Sequence, residues 1–192
     1  MPHNPTPASH AASSAPRIRD WSLSWQIGAV GLGTVFLALA SYIEVPMVPV
    51  PVTMQTFAVT LIGAVYGRRL GAATIVAWLV EGAIGLPVLS GGAAGAHHFV
   101  GPTAGYLFAF PVVGALTGWL AERGWNGNRP WLAFVSMLLG NALCLVLGAA
   151  WLSIAIGIEQ AIVHGVTPFL IGGALKSALA AVTLKLMTRA QK

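Results

Sequence analysis

Lys176 stands in the middle of an apolar run from Pro168 to Met187. An ionisable residue at the centre of a membrane-spanning helix costs about 2.5–3.5 kcal/mol on insertion scales, which marks it as a functional candidate. One reading makes Lys176 the counter-charge for an anionic ligand group entering from the outer side. The competing reading pairs it internally, with Glu81 as the natural partner, or lets its ammonium snorkel toward water. Asn141 sits at the centre of another apolar run and Gln55 near the start of a third. Each amide offers an acceptor and two donors, which suits a ligand with an amide-like or urea-like head. The bland alternative for both is hydrogen bonding between helices. Glu81 lies shortly before Gly85, near the outer end of its run, where exposure to water explains it as well as a ligand does.

Catalysis finds little support. Gly172-Gly173-Ala174-Leu175-Lys176-Ser177 lacks the Gly directly before Lys that a phosphate loop requires. Any ATP-driven work must therefore come from another subunit. His97 and His98 are adjacent, cannot chelate from one helix face, and fall in a Gly/Ala loop, so they read as exposed polar residues. No Ser/His/Asp or Cys/His arrangement is suggested, no metal set is read, and Cys144 fits a small packing residue. No cofactor is expected.

The elements that must hold these residues follow from composition. Ten basic and five acidic residues in 192 leave 8% charged positions, with 56% hydrophobic residues and a mean hydropathy of +0.78. An ordinary soluble domain carries about 25% charged residues, so the chain is read as an all-α membrane protein. Apolar runs over 25–43, 53–66, 70–84, 103–120, 131–151 and 168–187 give six transmembrane helices. The second and third are short and suit tilted helices or helices that end at a protein-lined cavity. Nine of the ten basic residues (Arg17, Arg19, Arg68, Arg69, Arg123, Arg129, Lys185, Arg189 and Lys192) fall on one side of this arrangement. The positive-inside bias then places both termini in the cytoplasm. The exception is Lys176. Residues 1–20 read as a disordered cytoplasmic tail and 21–192 as one membrane domain. The pI near 10 does not indicate nucleic acid, because the basic residues form no stripe.

The outer loops have chemistry of their own. Pro46, Pro49 and Pro51 force a stiff, extended entry into the second run. Gly91 and Gly92 form part of a mobile loop that ends at Gly101-Pro102-Thr103-Ala104-Gly105, where the fourth run begins. Such loops beside a pocket serve as gating lids, with ordinary turn chemistry as the alternative. Gly114 and Gly118 make a small-xxx-small face for a neighbouring helix. Ala29/Gly33 and Thr34/Ala38 make similar stripes, which fit either a sister helix or a separate subunit.

Two stretches carry a resemblance: Pro49-Val50-Pro51-Val52-Thr53-Met54-Gln55-Thr56-Phe57 and Glu81-Gly82-Ala83-Ile84-Gly85-Leu86-Pro87-Val88. Gly101-Pro102-Thr103-Ala104-Gly105-Tyr106-Leu107 and the segment from Pro168 to Lys176 extend it. Together they resemble the BioY family, the biotin-binding S components of energy-coupling factor (ECF) transporters, over about residues 32–184. The resemblance implies a six-helix S-component bundle in the bacterial cytoplasmic (inner) membrane with a pocket near the outer face. It further implies partnership with a transmembrane coupling (T) protein and cytoplasmic ATPases; self-association stays open. Biotin would be the transported ligand, its carboxylate on Lys176, its ureido head on Asn141 and Gln55, with Glu81 as a further polar candidate. Its apolar part would lie against aromatic residues such as Tyr106, Trp78 or Trp151. Gly173 departs from the family, which often has an acidic residue there, and Ala104 replaces a common Gly. The alternatives are an S component for another small anionic vitamin, an intramembrane enzyme built on Glu81 and the His pair, and a packing subunit without ligand.

Overall fold

The computed structural model describes residues 22–190; the tail expected over 1–20, with Arg17 and Arg19, lies outside them, as does Lys192. Helix α1 spans Leu23–Tyr42, α2 Gln55–Ala83, α3 Ala104–Glu122, α4 Pro130–Ile156, α5 Ile158–Gly165 and α6 Phe169–Ala190. Among the described residues, five helices are long and apolar enough to cross a membrane, all but α5. Their outward residues are apolar too: Leu32, Val146 and Leu175 are 73%, 64% and 67% exposed. That pattern suits lipid and would be costly in water.

The second and third expected runs meet in α2, which Gly67 interrupts with φ 79° and ψ 173°. Only glycine adopts that backbone region readily. The consequence is a reversal: the two arms, 55–66 and 68–83, fold back on one another, so that a Cβ on Gly71 would lie 3.0 Å from the Gly63 Cα. In one straight helix those positions would be about 12 Å apart along the axis. Glu122 at the end of α3 secures the bend: its carboxylate accepts from the Arg68 backbone N–H at 3.0 Å and pairs with the Arg68 side chain at 3.7 Å.

Glycines then let the helices approach backbone to backbone. Gly63 abuts Gly114 and Thr117, while Gly118 lies against the Gly67–Arg68 bend and the Gly63 carbonyl. The Gly114/Gly118 face is therefore an internal contact between α2 and α3. On α1, Gly33 packs against Thr74 and Tyr66, and the Tyr66 hydroxyl donates to the Ala29 carbonyl at 2.8 Å. Of the alternatives for the α1 stripe, Ala29/Gly33 serves a sister helix.

The connections divide between two ends of the bundle. At one end, Gly67 meets Glu122, and Gly127 meets Thr188 and the Leu184 carbonyl, which gathers the segments bearing Arg68, Arg69, Arg123, Arg129, Lys185 and Arg189. The opposite end holds two features beyond the all-helical expectation. Glu44–Val45 (β1) and Val52–Thr53 (β2) form an antiparallel pair with Glu44 opposite Thr53, closing the proline-rich loop into a hairpin. The segment 152–167, read as a loop, instead continues α4 to Ile156 and then forms α5, with Ala161 and Gly165 buried. Two 3-10 turns, Ser90–Gly92 and Ala96–Phe99, complete this end.

Candidate ligand-binding site

The hairpin end encloses a cavity of about 400 Å3. Its wall draws on the β1–β2 loop (Pro49, Pro51, Thr53), the start of α2 (Gln55, Thr56) and the first 3-10 turn (Ser90). Across from these stand Tyr106 and Phe110 of α3, Asn141 and Cys144 of α4, and Phe169 and Lys176 of α6. Four of the five expected binding residues are thus brought together by four different helices. Glu81 is the exception: it is half-buried on α2 and does not line the cavity.

Lys176 is 8% exposed, and its ammonium donates to the Thr53 carbonyl at 2.9 Å. The internal pairing with Glu81 is not formed, and Arg68–Glu122 is the ion pair among the described residues. Lys176 therefore holds β2 in place with one of its three donors, and no carboxylate neutralises it. The extended backbone that presents the Thr53 carbonyl is itself pinned by Gln55. The Gln55 side-chain oxygen accepts from the Thr53 hydroxyl at 3.1 Å, and its amide nitrogen donates to the Ser41 hydroxyl at 3.1 Å.

The Asn141 amide nitrogen donates to the Met137 carbonyl at 3.1 Å and to the Ser177 hydroxyl at 3.0 Å. Both donors are spent on the protein, leaving the Asn141 oxygen as an acceptor. Gly173 lies beside that side chain, since a Cβ there would stand 3.8 Å from the Asn141 oxygen, an ordinary contact distance. The Tyr106 hydroxyl donates to the Gly165 carbonyl at 2.8 Å, tying α5 across this end, and its ring stacks on Phe169 with centroids 6.3 Å apart. Gly148 of α4 lies directly beneath that ring.

The expected gating residues divide. Pro49, Pro51, Pro102 and Thr103 line the cavity; Gly91, Gly92, Gly101 and Gly105 do not. Gly91 and Gly92 adopt φ of 60° and 82° against Glu44 and Tyr42. Gly105 lets α3 pack against Trp151 and the Leu147 carbonyl of α4, while the Gly101 carbonyl accepts from the Trp151 indole at 3.1 Å. The aromatic wall also differs from expectation. Trp78 is wholly buried in the core, donating to the Val88 carbonyl at 2.9 Å, and Trp151 lies outside the wall. Phe110 and Phe169 stand beside Tyr106 instead, because all three sit on helix stretches that face the hairpin.

Two of the lining groups, Glu44 and Ser90, were not singled out from sequence. Glu44 and Ser90 line the cavity and bond to each other, Ser90 donating to the carboxylate. Of the His pair expected to be exposed, His97 is, but His98 is half-buried and lines the cavity; its imidazole pKa is lowered by burial and then by His97, which favours the neutral ring. Cys144 is buried in the packing, as expected, and also contributes to the wall. An acid beside a proline-rich loop was the available signal for Glu44.

A site with one cation, amide acceptors and an aromatic wall suits a small ligand carrying a carboxylate at one end and a polar head. The BioY family model matches residues 12–192. A probable biotin transporter BioY of Pyrococcus horikoshii is 35% identical over 80% of this chain and 91% of its own length. Biotin transporter BioY2 of Lactococcus lactis is 34% identical over 82% of this chain and 87% of its own. The fold is that of a crystallised S-component for biotin from an ECF-type ABC transporter, with a TM-score of 0.78 at 24% identity over 88% of this chain and 95% of that one. The chain belongs to the BioY family and is a multi-pass membrane protein.

Proposed function

We propose that this protein captures biotin at the outer face of the bacterial cytoplasmic membrane and delivers it inward as the S component of an ECF transporter. The observation that carries the reading is Lys176, a buried cation without a carboxylate partner in the wall of the cavity. It would meet the biotin carboxylate in a desolvated, charge-assisted contact. The Asn141 oxygen offers an acceptor for the ureido head, and Tyr106, Phe110 and Phe169 offer apolar surface for the ring system and chain. Relatives named biotin transporters support the same ligand, and none of those names describes an enzyme.

The α2 reversal supports six crossings: the arms of α2 each traverse once, beside α1, α3, α4 and α6. Six crossings return both termini to one side, and the gathered basic segments make that side the cytoplasm. ATP hydrolysis and the coupling stroke would belong to cytoplasmic ATPases and a T protein. Single cysteines placed at Gly92 and Gly124, in a Cys144→Ser background, should react with a membrane-impermeant thiol reagent from opposite sides of the membrane. Labelling of both from one side would overturn the topology.

Calorimetry on the detergent-purified protein should give saturable biotin binding. Heat that other small anionic vitamins compete away more strongly than biotin would reassign the ligand. Absence of saturable binding by folded protein would overturn the proposal.

A further inference from the structure

The hydrogen-bond pattern around the cavity separates polar groups already committed to the fold from those with capacity to spare. Gln55 uses its amide nitrogen on Ser41 and its oxygen on Thr53. Tyr106 donates to Gly165, and both Asn141 donors are taken. Helix α6 offers no polar side chain beyond Lys176 among the residues lining the cavity, and Gly173, beside Asn141, carries none. Glu44 differs. One carboxylate oxygen accepts from Ser90, and the other lies over Gly91 without a side-chain donor. A carboxylate has about four lone-pair sites, so Glu44 keeps most of its acceptor capacity, and it is the one acidic residue among those lining the cavity.

Its position relative to Lys176 is also set. Glu44 is the register partner of Thr53 across the β1–β2 hairpin, and the Thr53 carbonyl accepts from the Lys176 ammonium. One short hairpin therefore carries the carboxylate and receives the cation; the two form no ion pair, and the carboxylate bonds to Ser90 instead. A cavity that keeps its cation and its carboxylate apart suits a ligand with an anion at one place and N–H donors at another.

We propose that Glu44 is a specificity-determining residue of this cavity, its carboxylate accepting N–H hydrogen bonds from the neutral polar head of the ligand while Lys176 takes the ligand carboxylate. The inference rests on the biotin reading and adds a carboxylate acceptor for the ureido group beside the Asn141 oxygen. A carboxylate accepts such bonds more strongly than an amide oxygen, and the Ser90 contact orients it before the ligand arrives.

Glu44→Gln tests this by calorimetry, with biotin and a biotin whose two ureido nitrogens are methylated as the probes. The variant's folding is checked first by its thermal melt beside the wild type. Wild type should prefer biotin; Glu44→Gln should lose about tenfold or more in biotin affinity while binding the methylated probe as wild type does. Ser90→Ala should keep the preference for biotin. Unchanged or tighter biotin binding by Glu44→Gln would overturn the proposal. So would equal losses for the two probes, which would make Glu44 a clasp between the hairpin and the 3-10 turn only. Wild-type protein that binds no biotin would overturn the underlying ligand reading as well.

Discussion

Lys176→Ala should cut biotin affinity by roughly a hundredfold or more, because truncating one member of a buried, hydrogen-bonded charge pair costs about 2–5 kcal/mol. Part of that loss has nothing to do with the ligand. The ammonium also holds the Thr53 carbonyl, so its removal frees β2 and the entry to α2. The neutral ligand biotin amide separates the two contributions. It lacks the anion but needs the same hairpin, so its affinity should fall by about tenfold or less, the scale of one ordinary hydrogen bond. Lys176→Met keeps most of the apolar stem and should show the same contrast. Calorimetry with both ligands on both variants gives the comparison. Equal losses for biotin and its amide would mean that Lys176 acts only on the hairpin, and the carboxylate contact would be wrong.

Gly118→Ala should be among the most damaging single methyls in the membrane bundle. A Cβ there would lie 2.5 Å from the Arg68 nitrogen, 2.5 Å from the Gly67 carbonyl carbon and 2.7 Å from the Gly63 oxygen. All three atoms are backbone, and they belong to the reversal that doubles α2 back on itself. No side chain can rotate away, so the strain must move the bend or part α2 from α3. Overpacking commonly costs about 1–3 kcal/mol, and the upper end is expected here. That corresponds to a fall of roughly 6–12 °C in the melting temperature for a chain of this size. Gly31→Ala is the matched control, because nothing lies within 4 Å of a Cβ at that outward position of α1. It should stay within about 0.5 kcal/mol of wild type. Thermal melts of the detergent-purified proteins decide the matter; comparable shifts for the two variants would refute a close backbone contact at Gly118.

Much of the bundle was legible from composition. The run boundaries fall within a few residues of α1, α3 and α6, because an apolar stretch ends where charges, prolines or Gly-Pro steps begin. Gly67-Arg68-Arg69 reads as the break between two short runs, and the structure puts a reversal there, with a separate helical arm on either side of Gly67. The segment after α4 was harder. It was read as loop, yet Ala161 and Gly165 recur at helical spacing and give α5 its buried face. That signal was short, and only docking against Tyr106 makes such a helix stable.

The site was legible in part, for a related reason. Lys176, Asn141 and Gln55 stood out because a polar group in an apolar helix is conspicuous wherever it points. Glu44 did not, since an acid at the edge of a run looks like a boundary, and Glu81 looked equally eligible. Trp78 and Trp151 show the same ambiguity among apolar residues, one closed inside the core and the other outside the cavity wall. By itself the sequence determined the membrane class, the apolar helices and the cation set among them. Tertiary structure alone decided which residues share the cavity. In a soluble helix the polar face tells inside from outside, but in lipid both faces are apolar, so hydropathy is silent about direction, and only packing across α2, α3, α4 and α6 turns a side chain toward the cavity.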